Sequence, residues 1–230
     1  PHLRLRLVVL GLSYRHVIFD LDGTLIDSAG DLAASANHVL ASFDLARLPE
    51  ATIVGFVGNG ARKLVERSLV ASGGAGAAEL LDRALARWLE YYREHLLDTT
   101  RLHVGVADAI RGLAARDVVL SVATNKPEAM ARAILAGLGI GDSFVDVLGG
   151  DSVPVHKPDP AIVHALERRT AIPPEATMLV GDSLVDVATA RAAGIAACAV
   201  TWGLTPADVL RDSAPDLLIE RPDELISVLG

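Results

Sequence analysis

Two aspartates one residue apart, Asp20 and Asp22, follow a short apolar run and are followed at once by Gly23 and Thr24. Val17, Ile18 and Phe19 predict a buried strand, which Gly23 ends. Side chains alternate across a strand, so both carboxylates project from its C-terminal end on one side while Leu21 faces away. Like charges held together repel, and nothing in this segment supplies a cation. A bound metal ion relieves that repulsion, and different tasks for the two acids explain why both are present. Asp-x-Asp-Gly also occurs in calcium loops, but those need further oxygen ligands at alternate positions and a closing acid. Thr24-Leu25-Ile26 turns apolar where those ligands belong.

The elements that must hold this pair read as an α/β chain with one interruption. Leu32, Ala36, Val39, Leu40 and Phe43 fall at helical spacing and predict an amphipathic helix over about residues 30–43. Ile53, Phe56 and Val57 belong to a second helical segment. Ala61, Leu64, Val65 and Leu69 line a third, and Gly73-Gly74-Ala75-Gly76 breaks the pattern. Leu81, Ala84, Trp88, Tyr91 and Tyr92 build a fourth, whose aromatic stripe reads as core. After Gly105, continuous apolar runs alternate with helical patterns: strands at 118–123, 144–148, 178–180, 195–200 and 217–219. Unbroken apolar strands separated by helices predict a parallel sheet covered on both faces. The fold expected is therefore α/β, a Rossmann-like parallel sheet with an inserted all-α unit. Residues 1–28 and 99–230 form the discontinuous core and residues 29–98 the insertion.

In such sheets ligands sit outside the carboxyl ends of the strands, so polar residues there are candidates for a site. The strand at 118–123 ends in Thr124-Asn125, the loop after 144–148 carries Lys157, and the strand at 178–180 ends in Gly181-Asp182-Ser183 with Asp186 beyond it. Each has a purely structural reading as well. Thr124 can simply end a strand, but Asn125-Lys126-Pro127 after it makes a polar turn at a helix start, a setting that favours anions. Lys157 lies in His156-Lys157-Pro158-Asp159-Pro160, where prolines hold the backbone extended and Asp159 can cap the next helix. Ser183 and Asp186 have the spacing of a capping box, which alone could account for Asp186.

In sequence order these stretches resemble the four motifs of the haloacid dehalogenase superfamily, in its phosphatase branch with the Asp-x-Asp-Gly-Thr pattern. The resemblance implies that Asp20 attacks a phosphomonoester and forms an aspartyl-phosphate. It implies that Asp22 serves as general acid and then general base. Mg²⁺ would be held by the Asp20 carboxylate, the Asp22 carbonyl and Asp182, with Asp186 orienting its waters. Thr124, the Asn125 backbone and Lys157 would hold the phosphoryl oxygens.

The helical insertion resembles the small cap that this superfamily places after its first motif, closing over the site and contacting the leaving group. Within it, Gly58-Asn59-Gly60 forms a turn before a helix with Arg62, Lys63 and Arg67 on its polar side. Gly58, Asn59, Gly60 and Arg62 are the candidate contacts to a small anionic leaving group; a glycine-rich turn and a solvated face are the alternative. With the Thr124-Asn125-Lys126-Pro127 and Gly181-Asp182-Ser183 stretches, this segment is similar to the branch that hydrolyses 2-phosphoglycolate to glycolate and phosphate. Leu102-His103-Val104-Gly105 departs from it in lacking a proline before the glycine. Phosphatases for pyrophosphate, sugar phosphates or nucleotides stay open. So does a β-phosphoglucomutase-like mutase, for which His38 or Lys63 would shuttle a proton. A dehalogenase proper needs no acid at position 22, and a non-catalytic binding protein would have no use for Asp20, Asp22, Lys157 and Asp182 together.

The 230 residues carry 21 basic and 29 acidic side chains, a net charge of -8, which argues against nucleic acid or an anionic membrane as partner. A small phosphorylated metabolite is the expected partner, met by a monomer or homodimer in the cytoplasm. The single cysteine, Cys198, allows no internal disulfide and reads as an inert core thiol. Leu3 to Leu12, with Arg4 and Arg6, has a faint signal-peptide character without a clear cleavage site, and is expected to be a ragged terminus or extended translation start.

Overall fold

The computed structural model describes residues 14–73 and 77–229. The expectations for Leu3 to Leu12 and for the break at Gly74, Ala75 and Gly76 lie outside the described residues. Six strands form one parallel sheet: β1 (His16–Phe19), β4 (Val119–Ala123), β5 (Asp146–Leu148), β6 (Thr177–Gly181), β7 (Ala196–Val200) and β8 (Leu217–Ile219). Their spatial order is β5-β4-β1-β6-β7-β8. The chain builds outward from β1 in one direction through β4 and β5, then returns to lay β6 against the other edge of β1. That reversal leaves a crevice at the carboxyl ends of β1 and β6.

The sheet is buried on both faces, as the unbroken apolar runs require. Val17, Phe19, Leu120, Val122, Met178 and Val180 pack on one side. Ile18, Leu179, Ala197 and Ala199 alternate to the other. Cys198 is free and buried, and burial pushes its thiol up to about 12. The strand expected at 144–148 is only Asp146–Leu148, because a 3₁₀ turn at Gly141–Ser143 runs into Phe144 and Val145 stands exposed. Helices α5 (Val106–Ala114), α6 (Glu128–Gly137), α7 (Ala161–Thr170), α8 (Leu184–Ala193), α9 (Ala207–Asp212) and α10 (Asp223–Leu229) connect and flank the strands.

Between residues 28 and 100 the described residues make four helices, α1 (Ala29–Ala41), α2 (Glu50–Val54), α3 (Ala61–Ala71) and α4 (Ala77–Glu94). On α4 the buried positions Leu81, Ala84, Trp88 and Tyr92 recur at helical spacing, which gives it one apolar stripe to lay against α1 and α3. Phe56 and Val57 fall beyond the end of α2, in the turn that leads to α3. Two short strands close the base of this helical layer: β2 (Ile26–Asp27) pairs antiparallel with β3 (Arg101–Leu102). Beside them the buried Asp31 carboxylate accepts the amide and hydroxyl of Thr99 and of Thr100, at 2.6 to 3.1 Å. Burial alone would raise the pKa of Asp31, but these donors outweigh it and lower it. Among the described residues no helix is long and apolar enough to cross a membrane.

Candidate active site

Register brings the polar strand ends together. Phe19 lies opposite both Val122 of β4 and Val180 of β6, so Asp20, Thr124 and Asp182 all emerge within two residues of one line across the sheet. Gly23 then turns the chain with φ +87°, a conformation an L side chain rarely adopts. A Cβ there would also lie 2.3 Å from Asp182 Oδ2, so glycine is what lets the first loop close onto the fourth strand end. The loop is fixed by Thr24, whose hydroxyl donates to Asp182 Oδ1 at 2.9 Å, and by Trp202, whose indole donates to the Thr24 carbonyl at 3.0 Å.

Asp20, Asp182 and Asp186 are buried and each offers a carboxylate oxygen within 4.8 Å of the others. Lys157, only 3% exposed, reaches between two of them, 2.9 Å from Asp20 Oδ1 and 2.6 Å from Asp186 Oδ1. Burial works against the Lys157 ammonium, but Asp186 and Asp20 more than offset it and hold its pKa above the usual lysine value. Burial and, after the opposing pull of Lys157, the charge on Asp186 push Asp20 up to about 6. Burial, Asp186 and Asp20 push Asp182 up to about 7. One cation among three buried acids leaves a negative, oxygen-only cluster at the crevice. That donor set suits a hard divalent cation, which would take its remaining ligands from backbone, substrate and water.

Asp186 makes the capping box its spacing predicted and also pairs with Lys157. Its Oδ2 accepts the Ser183 amide and hydroxyl in a capping box that starts α8, while Oδ1 faces Lys157. The Lys157–Pro158 peptide is cis, and Asp159 accepts the Ala161 amide at 2.9 Å just inside α7.

Asp22 has separate partners. Its Oδ1 lies 2.9 Å from Lys126 Nζ and accepts the Ser28 hydroxyl at 2.6 Å. Ser28 is the N-cap residue of α1 but makes no side-chain cap bond, its hydroxyl being used on Asp22. Lys126 is buried, donates to the Tyr92 hydroxyl at 2.8 Å and lies 4.6 Å from the centre of the Tyr92 ring. Burial opposes its charge, yet Asp22 and Tyr92 hold the ammonium's pKa above the usual lysine value. Burial likewise pushes Tyr92 up to about 12.

A cleft of about 450 Å³, its open mouth included, separates the strand ends from the helical layer. Asp20, Asp22, Thr124, Asn125 and Lys126 line its floor, and Gly58, Gly60 and Trp88 face them. The Asn125 side chain joins the two sides: it donates to the Gly58 carbonyl at 2.9 Å and the Lys157 carbonyl at 3.1 Å, and accepts the Lys157 amide at 2.9 Å. Gly58 and Gly60 have φ of +109° and +83°, the backbone that the turn before α3 needs. Asn59 and Arg62 are not among the lining residues; Arg62 pairs with Asp82 at 2.7 Å on the exposed face. Lys63 pairs with Glu66, and Arg67 donates to the Phe56 carbonyl. His38 stacks on Tyr91 with ring centres 3.8 Å apart. Neither His38 nor Lys63 lines the cleft. Four residues that do bear on it, Ser28, Lys126, Trp88 and Tyr92, were not candidates from sequence; the helical stripe marked the two aromatics only as core.

Known proteins are similar to this chain in both sequence and shape. A family model described as haloacid dehalogenase-like hydrolase matches residues 17–200. A phosphoglycolate phosphatase of Rhodospirillum rubrum is 44% identical over 191 residues, covering 81% of this chain and 79% of that protein. Another, from Haemophilus influenzae strain KW20, is 34% identical over 224 residues, 96% of this chain and 100% of that protein. A crystal structure from Haemophilus somnus 129PT, described as a predicted phosphoglycolate phosphatase, superimposes with a TM-score of 0.88 at 30% identity, covering 94% of this chain and 98% of that one.

Proposed function

The chain belongs to the haloacid dehalogenase-like hydrolase family and is a phosphatase, and from that premise we propose that it hydrolyses 2-phosphoglycolate to glycolate and phosphate, with Mg²⁺, through an aspartyl-phosphate. The observation that carries the chemistry is the buried cluster of Asp20, Asp182 and Asp186 with Lys157 between two of them. The names of the relatives carry the choice of substrate.

Asp20 is the nucleophile: a carboxylate oxygen bonds to phosphorus as the ester P–O bond breaks. Asp22 gives its proton to the departing oxygen, then takes one from the water that attacks the phosphoryl-aspartate and releases phosphate. Lys157 neutralises charge between Asp20 and Asp186, and Thr124 and the Asn125 amide bind phosphoryl oxygens. Asp20, the Asp22 carbonyl, Asp182 and Asp186 would hold or orient the shell of Mg²⁺, which when bound lets an anionic nucleophile approach a phosphate dianion. Residues 29–98 act as a cap over the core formed by residues 1–28 and 99–230, excluding water once the cleft closes. The small metabolite is met in the cytoplasm by a monomer or homodimer.

A mutase is the less favoured reading, since the two groups that could shuttle a proton in the cap, His38 and Lys63, stay out of the cleft. The test is a ranking of kcat/KM over small phosphomonoesters and pyrophosphate, with Mg²⁺ and with chelator. 2-Phosphoglycolate is expected to lead and chelator to abolish turnover. A sugar phosphate or nucleotide in first place would overturn the substrate, and full activity in chelator would overturn the metal.

A further inference from the structure

On the side of the cleft away from the carboxylate cluster, two buried donors have capacity left over. An ammonium carries three N–H groups. Lys126, 5% exposed, spends two on Asp22 Oδ1 and the Tyr92 hydroxyl, and among the described residues no third acceptor meets it. Trp88 is 2% exposed and lines the same cleft, and its Nε1–H has no hydrogen-bond partner among the described residues. Buried donors are nearly always paired, so an orphan beside a cleft marks a place where an acceptor arrives. The two donors are neighbours through Tyr92: the Trp88 and Tyr92 rings pack 4.7 Å apart, and Lys126 Nζ stands 4.6 Å from the same tyrosine ring.

The side chains on the rest of that wall are Leu32, Val57, Ala61 and Leu64, beside the turn of Gly58 and Gly60. A leaving group with several hydroxyls would bury them against hydrocarbon, at a free-energy cost for each one left without a partner. A compact group carrying one anion matches one spare cationic donor and one spare neutral donor in an apolar surround. We propose that Lys126 Nζ and Trp88 Nε1–H form the subsite for a carboxylate on the leaving group, and so determine specificity. This rests on the phosphatase reading above and adds to it the residues that recognise the acid.

The test compares kcat/KM for 2-phosphoglycolate with that for ethyl phosphate, in which a methyl group replaces the carboxylate. It is made on the Mg²⁺-supplemented parent and on Trp88→Phe and Lys126→Met. Taking the ratio within each protein cancels damage common to both substrates, including any that Lys126→Met transmits through Asp22. The ratio is expected to fall by roughly 10-fold in Trp88→Phe and roughly 100-fold in Lys126→Met, the sizes of a neutral and a charge-assisted bond, with the change carried by KM. If Lys126→Met does not fold, Trp88→Phe decides alone. A parent preference for 2-phosphoglycolate that survives both substitutions sinks the subsite and leaves the substrate standing. A parent with no preference between the two esters sinks both.

Discussion

Asp20 and Asp22 are separated by one residue, yet their carboxylates meet different partners: Lys157 for the first, Lys126 and Ser28 for the second. Separate surroundings are what two acids need to perform two tasks on one substrate. Asp20→Asn removes the nucleophile and is expected to leave no measurable turnover. Asp22→Asn removes proton transfer, and with it the anionic partner of Lys126, and is expected to cost about 10²–10⁴-fold in kcat. Equal, mild losses in a steady-state assay of both variants would refute the division of labour. The acids themselves were legible because each ends an apolar run where a strand must stop. Lys126 was not, although it sits in the same turn as Thr124 and Asn125. A lysine between an asparagine and a proline carries no signal of burial, and what buries it is Tyr92, 34 residues away on α4.

At the scale of elements, the six strands of the parallel sheet were readable because each lies in a run of apolar residues too short for a helix. β2 and β3 were not, since two residues carry no period. They nevertheless set how the helical layer joins the sheet, together with Asp31 on α1. Its carboxylate satisfies two amides and two hydroxyls of Thr99 and Thr100 where the chain returns to the core. Asp31→Ala leaves the amide and hydroxyl of buried Thr100 without an acceptor, while those of exposed Thr99 turn to water, a loss of about 1–3 kcal/mol for each buried group left unsatisfied. The amides of Thr99 and Thr100 are then expected to lose hydrogen-exchange protection before those of β1. Unchanged protection would show that the β2–β3 pair alone holds the junction. The sign with pH follows from the lowered pKa of Asp31. Its contribution is present above the unfolded carboxylate value of about 3.9 and is lost as pH falls toward the folded one, so parent and variant converge in acid.

For the whole molecule, the order β5-β4-β1-β6-β7-β8 determines where chemistry can occur, and no single segment encodes it. The first strand among the described residues becomes a central strand because later segments add on both sides of it, and only then do residues 20, 124, 157, 182 and 186 share a crevice. Folding therefore gathers three carboxylates, two from just past β1 and β6 and one from α8, with one lysine between two of them, against their mutual repulsion. A divalent cation that binds this cluster only in the folded state must raise the stability of the entire chain. At about 100 times its dissociation constant the gain is about 2.7 kcal/mol. For a chain of this size that corresponds to roughly 5–10 °C in Tm. Asp182→Asn removes one ligand and one repelling charge at once. It is expected to lose most of the Mg²⁺-dependent rise while melting, in chelator, no lower than the parent by more than the bonds Asp182 makes to Thr24 and the Leu204 amide. Scanning calorimetry on both proteins, with Mg²⁺ and with chelator, separates these terms without reference to catalysis. An equal Mg²⁺ shift in the two proteins would mean that the ion stabilises the chain somewhere other than at the ends of β1 and β6.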